Sequence, residues 1–358
     1  MARINLDHIR HSYMEKPQAP SDYALREIDH VFEDGGAYAL LGPSGCGKTT
    51  LLNIISGLLT PSHGRILLGE RDVTRLRTED RNIAQVFQFP VIYDTMTVFD
   101  NLAFPLRNRH VPEAEVTRKV NEILDVIDLK SMARRKAQGL TADLKQKVSL
   151  GRGLVRSDVN AILFDEPLTV IDPHMKWQLR AQLKLLHRQF GYTMVYVTHD
   201  QTEALTFADK VVVMYDGGVV QIGTPAELFD RPSHTFVGYF IGSPGMNVLP
   251  VKISGASAVI GDQTVTLSTA PVIAPGAKTE LGIRPEFVHL GREGMPITIS
   301  KVEDIGRTKI VRASLAGLPL TIVAQEDDEI PAEPRITFDP AATNIYADSW
   351  RVKTEAGT

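Results

Sequence analysis

The 358-residue sequence holds a single cysteine, Cys46, so no intrachain disulfide can form, and this usage fits a reducing compartment. It also lacks any stretch approaching the ~18 uninterrupted apolar residues of a membrane-spanning helix. The nearest approach, 236–251, is broken by Gly238, Gly242, Pro244 and Gly245. Residues 1–10 mix Arg3, Asp7 and Arg10 with isolated apolar positions, so no secretory leader is expected. If the protein works at a membrane, other chains must do the spanning. A basic surplus is missing too, since 39 Lys and Arg face 43 Asp and Glu for a formal net charge of −4. Proteins that live on nucleic acid usually carry the opposite balance, so no nucleic-acid partner is expected. No internal repeat or low-complexity tract is visible.

What is there is an ordinary globular balance, 43% hydrophobic and 23% charged, in a length that suits about two domains. The first ~240 residues alternate strand-like and helix-like segments, the pattern of an α/β domain. Residues 37–41, 161–164, 193–197 and 210–215 read as buried strands. Residues 49–57 and 113–129 read as helices, as does the segment carrying Leu179, Leu183, Leu186 and Phe190 on one face. Asp216-Gly217-Gly218 supplies a hairpin turn. After Ile241 the texture changes. Gly242, Pro244, Gly245 and Pro250 suggest a linker, followed by short β-rich segments at 264–267, 309–315 and 320–323. A small OB-like β-barrel over 241–358 is the expectation, behind an α/β domain over 1–240.

Gly42-Pro43-Ser44-Gly45-Cys46-Gly47-Lys48-Thr49 matches the phosphate-binding P-loop pattern in full, between an apolar strand and a helix start. Its glycines let several backbone N–H groups turn toward a phosphate, and the following helix adds its positive end. In that role Lys48 holds the β- and γ-phosphates and Thr49 ligates Mg²⁺, with Thr50 beside it in the nucleotide site. The bland alternative is a glycine-rich turn before a helix. Cys46 reads as a small residue of the loop. Further on, Ile162-Leu163-Phe164-Asp165-Glu166-Pro167 is an apolar strand ending in two acids. Asp165 suits a place in the Mg²⁺ shell, partly through water, and Glu166 suits the orientation or activation of an attacking water. Strands often end in acidic turn residues, so the P-loop in the same domain is what gives this pair its meaning.

Further motifs follow in a consistent order. They are Val86-Phe87-Gln88, Leu168-Thr169-Val170-Ile171-Asp172 and Thr198-His199-Asp200, with Tyr13 upstream and Gly223-Thr224-Pro225 downstream. Taken together with the P-loop they resemble the ATP-binding subunits of ABC transporters. The resemblance implies a P-loop NTPase fold with a helical subdomain at about 89–157. It also implies that Gln88 contacts Mg²⁺, Asp172 lies in the D-loop, His199 contacts the γ-phosphate and Tyr13 stacks on adenine. Asp172-Pro173 is equally the pattern of a helix N-cap with proline behind it, and Tyr23 lies on the same approach segment as Tyr13. Gly282-Ile283-Arg284-Pro285-Glu286 looks like a motif of the β-rich tail of carbohydrate-uptake ATPases. Within the family, residues 84–93, 138–143 and 168–173 look most like one of the two ATPase subunits of bacterial glycerol importers.

The resemblance implies ATP and Mg²⁺ as cofactors, two transmembrane permease subunits and, indirectly, a periplasmic or extracellular solute-binding protein. It places the protein peripherally on the cytoplasmic face of the bacterial cell membrane. The apolar residues Phe89 to Tyr93 would meet the permeases or pack locally.

One departure stands out. The family's Leu-Ser-Gly-Gly-Gln signature reads Leu140-Thr141-Ala142-Asp143-Leu144 here, with the alignment fixed by Gln146, Gly151-Arg152 and Leu154-Val155-Arg156. In the family this segment grips the γ-phosphate bound to the partner's P-loop. Asp143 sets a carboxylate where phosphate should approach. At ~5 Å and an effective dielectric of ~20 the repulsion is about 3 kcal/mol per pair of unit charges. An acid suits the first turn of a helix, which explains its tolerance but does not restore phosphate binding. The expectation is a heterodimer with a second, non-identical ATPase whose signature is intact. A soluble ABC ATPase acting on ribosomes or DNA, and a regulatory subunit with little turnover, are the competing readings.

Overall fold

The computed structural model describes residues 2–156 and 158–352. The chain divides into two compact units, the first ending at Thr224 and the second beginning at Pro225.

In chain order the first unit contains strands β1 (Ile4–His11), β2 (Leu25–Phe32) and β3 (Ala37–Leu41), then helix α1 (Lys48–Ser56). Strands β4 (His63–Leu68), β5 (Arg71–Asp72) and β6 (Ile83–Val86) follow, then helices α2 (Val98–Arg107), α3 (Glu113–Val126) and α4 (Ala142–Leu154). The remainder is β7 (Ala161–Asp165), α5 (Pro173–Phe190), β8 (Met194–Thr198), α6 (Gln201–Phe207), β9 (Lys210–Tyr215) and β10 (Gly218–Gly223). The expected helix over 113–129 stops at Val126, because Asp128 takes a positive φ of 54° just beyond it.

Two sheets build this unit. The central one runs β10-β9-β3-β8-β7-β6, parallel except for the β9–β10 hairpin closed by Asp216-Gly217. Every residue of β3 and β8 is buried, as expected for strands covered on both faces. The second sheet, β2-β1-β4-β5, is antiparallel. A shared core joins Ile4, Leu6 and Ile9 of β1 to Leu51, Leu52 and Ile55 of α1 and to Leu40, Val195 and Leu163 of the central sheet. Helix α1 is thus fixed by apolar packing, and each fully buried Leu or Ile contributes about 1.5–3 kcal/mol. Its far end is capped by Arg81, a buried guanidinium that donates to Ile54 O (2.7 Å) and Ile55 O (2.9 Å). Helices α2, α3 and α4 form the helical subdomain expected within 89–157.

The second unit opens with two short helices, α7 (Pro225–Asp230) and α8 (Thr235–Phe240), and continues as short antiparallel strands in small sheets around Leu281, Ile283, Val311, Leu315, Ile322 and Ile336. The expected boundary near 240 lies beyond these helices. Arg284 accounts for the difference. It is 3% exposed and stacks 3.8 Å over the Phe229 ring. It donates to Phe229 O and Ile241 O, both at 2.6 Å. One guanidinium therefore satisfies carbonyls near the ends of α7 and α8, where a cation is favoured. Burial pulls its pKa below the ordinary arginine value.

Candidate ATP site

The site gathers at the carboxyl ends of neighbouring parallel strands, the usual place for ligands in such sheets. Leu41, the last residue of β3, pairs with Thr198 at the end of β8, and Asp165 at the end of β7 pairs with Val197. Val86, ending β6, pairs with Phe164. The loops that leave these four strands carry Gly42–Thr49, His199, Glu166 and Gln88.

The phosphate loop turns through Gly45 (φ 82°) and Gly47 (φ 96°), the latter being the N-cap of α1. A Cβ on Gly47 would sit 2.6 Å from Ala24 O, and one on Gly42 would sit 2.2 Å from Met214 O. Neither position has room for a side chain. Lys48 is buried and donates to Gly42 O and Pro43 O, each at 2.8 Å, arching over its own loop. Cys46 is packed beneath, 3.7 Å from the Lys48 ammonium. Burial pushes its thiol pKa up, so it behaves as a small apolar residue. Ser44 and Gly45 face solvent.

Thr49 Oγ1 donates to Asp165 Oδ1 at 3.2 Å, which brings together two oxygens suited to a hard cation. Burial raises the Asp165 pKa, with Glu166 adding to the rise and Thr49 and Lys48 opposing it. The Thr49 hydroxyl and the Asp165 carboxylate are hard oxygen donors side by side, so the residues fit Mg²⁺, which would bind Asp165 in its ionised form. Glu166 adopts a positive φ of 44°, uncommon for a residue with a side chain and a form of strain that gathers at functional sites. Its N–H still donates to Val197 O at 3.0 Å. Its carboxylate is held from two sides, by His199 Nδ1 at 3.1 Å and by Thr169 Oγ1 at 3.3 Å.

Tyr13 is 68% exposed and its hydroxyl shares a 3.1 Å hydrogen bond with Thr50 Oγ1, beside the phosphate loop. Tyr23 instead lies under the Arg10 guanidinium at 4.4 Å, while the Tyr13 ring meets His11 at 4.7 Å in a T-shaped contact and stays largely exposed. Gln88 lies two residues beyond β6 and makes no side-chain hydrogen bond among the described residues. Asp172 caps α5, accepting from His174 N at 2.9 Å, with Pro173 next. Leu140, Thr141, Ala142, Asp143 and Leu144 form the start of α4, with Thr141 at the N-cap. Among the described residues no hydrogen bond links them to the phosphate loop, Glu166 or His199.

Two supporting residues escaped sequence reasoning. Glu203 is buried and accepts from Tyr196 Oη (2.9 Å) and Thr198 Oγ1 (3.0 Å), with Lys176 of α5 at 3.4 Å. It ties the strand end before His199 to the helix that follows Asp172. Gln146, fully buried in α4, bonds to backbone beside both Gln88 and Glu166. Gln146 sits between Lys145 and Lys147 and Glu203 follows Gln201 and Thr202, so neither stands out in the sequence and only the fold reveals its partners.

Residues 25–169 match the family described as "ABC transporter", and residues 242–288 match the "MalK OB fold domain". The chain is similar to the sn-glycerol-3-phosphate import ATP-binding protein UgpC of Ruegeria pomeroyi, with 36% identity over 354 residues covering 97% of each protein. It belongs to the carbohydrate-uptake ABC ATPases. It is an ATPase coupled to import. Similarity extends to UgpC of Bordetella avium (38% over 302 residues, 83% of each protein). It extends also to the trehalose import ATP-binding protein SugC of Mycobacterium tuberculosis, 42% identical over 294 residues, 81% of this chain and 73% of that protein. Among solved structures, a dimeric ATP-binding cassette in a post-hydrolysis state with ADP and phosphate aligns with a TM-score of 0.55 and 26% identity. It covers 62% of this chain and 98% of that one.

In this ABC ATPase the segment after β6 forms an exposed apolar ridge of Phe87, Phe89, Val91 and Tyr93. The ridge is not loose. The backbone of Tyr93 is clamped by Asn101, which accepts from its N–H at 2.8 Å and donates to its carbonyl at 3.0 Å. Arg152 stacks on the Tyr93 ring at 4.7 Å and donates to Val91 O. Among the described residues no helix is long and apolar enough to cross a membrane.

Proposed function

We propose that this ATPase powers import of a small sugar or polyol, glycerol foremost, as one half of a pair with a second, non-identical ATPase. The observation that carries the pairing is the contrast between its two faces. Lys48, Thr49, Asp165, Glu166 and His199 converge on one side, whereas Asp143 and Leu144 stand where the family's signature needs open glycine backbone. Two copies would build two weak sites. A partner with an intact signature would complete the site on Lys48, and the opposite site, facing Asp143, would be impaired.

At the competent site the loop amides and Lys48 bind the β- and γ-phosphates, and the exposed Tyr13 ring stacks on adenine. Thr49 and Asp165, with Gln88 and water, hold Mg²⁺, which supplies positive charge to the phosphate oxygens. Glu166 orients the attacking water and takes its proton, while His199 holds the Glu166 carboxylate and contacts the γ-phosphate. Closure of the two ATPases and their reopening after phosphate release would move the permeases. The Phe89–Tyr93 ridge meets the transmembrane side of the assembly, whose two permease subunits a solute-binding protein loads from outside. This puts the chain peripherally on the cytoplasmic face of a bacterial inner membrane. Glycerol is supported by the local likeness at 84–93, 138–143 and 168–173, and by relatives named for import of a glycerol phosphate.

Isolating the chain from its own membranes tests this. Co-isolation of two permeases and a second ATPase, with glycerol stimulating ATP hydrolysis, is the expected outcome. An assembly holding two copies of this chain as its only ATPase would refute the pairing. The altered signature also favours a second reading, a regulatory subunit with little turnover. In the reconstituted transporter, Glu166→Gln separates the two, since lost transport with retained ATP binding marks a motor and unchanged transport marks a regulator.

A further inference from the structure

Gln146 lies on α4, two residues past the end of the altered signature, and is fully buried. Its Nε2 donates to Phe87 O at 3.1 Å and to Pro167 O at 2.8 Å. The first carbonyl precedes Gln88 and the second follows Glu166. Two carbonyl acceptors fix which end of the amide is nitrogen. The Oε1 atom is buried without a hydrogen-bond partner, so the side chain is held by its donor end alone.

Gln146 belongs to a stripe of α4 that grips the same segment. Ser149 Oγ accepts from Val91 N at 3.3 Å, and Arg152 donates to Val91 O. Positions 146, 149 and 152 follow a three-residue spacing along one side of the helix. Gly153 lets α4 approach β6 closely, since a Cβ there would lie 2.6 Å from Val86 Cγ2. The helix is therefore seated on the strand end from which the 87–93 segment leaves, and one amide reaches across to the loop after β7.

We infer that Gln146 is a positioning residue that links the exposed 87–93 ridge to the backbone of Glu166. Through it, α4 serves this chain's own hydrolytic site even though its N-terminus carries a poor signature for the partner's. A displacement of the ridge by a permease would pull on Phe87 O, and the same amide would carry it to Pro167 and the strained turn at Glu166. This rests on the proposed role of Glu166 as the residue that directs water. A Glu166→Gln control tests that role separately, because its effect does not depend on Gln146.

The test uses the reconstituted transporter with Gln146→Leu and Gln146→Met, which keep bulk and helix propensity but remove the donor. The expected result is a fall in kcat of about 10- to 100-fold. KM for ATP should stay within about threefold, since the phosphate loop is untouched. Solute-dependent stimulation should be lost. Unchanged kcat with a lowered melting temperature would overturn the inference, as would loss of nucleotide binding in a variant that remains folded. Should both variants fail to assemble, Ser149→Ala tests the same stripe. Reduced solute stimulation supports the linkage, and stimulation equal to the parent's contradicts it.

Discussion

His199 Nδ1 stands 3.1 Å from Glu166 Oε1, across the gap between the ends of two adjacent strands. The contact joins the residue that follows β8 to Glu166, the acid proposed to direct water. Nothing in the linear sequence requires two residues 33 positions apart to meet. Parallel pairing of β7 with β8 brings them together, and the positive φ of Glu166 turns its carboxylate toward the histidine.

Replacing Glu166 by Gln keeps the shape of the side chain and removes its basicity. Turnover of the assembled transporter should fall by about 10²- to 10⁴-fold, the usual worth of a positioned general base. Nucleotide binding, read by titration with ATP, should be unaffected, because Lys48 and the loop amides are not touched. Loss of binding in parallel with turnover would show that Glu166 acts on the fold rather than on water.

The pH response follows from Asp165, whose pKa burial lifts above its ordinary value of 3.8. The group is protonated in the folded chain at pH values where the unfolded chain would already be ionised. Its contribution to stability is thus fully present below the unfolded pKa and is lost as pH rises through the raised folded value. A divalent ion bound by Asp165 reverses the balance, because it favours the carboxylate and displaces the proton. Mg²⁺-dependent nucleotide affinity should therefore weaken as pH falls through the raised value. In Asp165→Asn that pH dependence should vanish together with most turnover. A variant with the parent's pH profile would move the dependence elsewhere.

Phe89 is 71% exposed on the ridge after β6. Phe89→Asp should abolish coupling of solute to ATP hydrolysis and leave ATP affinity as it was. Parallel assays of transport and of nucleotide binding would check this. Phe89 is the cleaner probe, because Tyr93 also packs locally under Arg152.

Arg284→Leu should destabilise the second unit. Phe229 O and Ile241 O would lose their 2.6 Å donors. Each buried carbonyl left unsatisfied costs about 1–3 kcal/mol. Thermal unfolding should show an earlier transition for the second unit, with ATP binding by the first unit retained. An unchanged melting profile would mean that α7 and α8 are held by other contacts.

The parts that were legible in advance are those whose chemistry constrains residue type at fixed spacing. A phosphate cradle needs glycine at Gly42 and Gly47, and a buried strand end needs the apolar run before Asp165. The antiparallel sheet was not visible, because His8 takes a positive φ and the pairing of β1 with β2 shifts between Leu6 and Ile9, which spoils strict alternation. The glycine- and proline-rich stretch marks where the OB-type family match begins, while the compact second unit starts earlier, at Pro225, and holds α7 and α8 through Arg284. Gln146 and Glu203 carry no pattern of their own, since their roles exist only through the backbone and side chains that folding sets beside them.

One sound catalytic face and one impaired signature face are what the proposed pairing requires of this chain. Sedimentation of the purified Glu166→Gln chain with and without ATP tests it most directly, in the natural signature and in one repaired by Asp143→Gly with Leu144→Gln. The chain with the natural signature should remain monomeric with ATP, and the repaired one should dimerise. ATP-driven dimers of the unrepaired chain would contradict it.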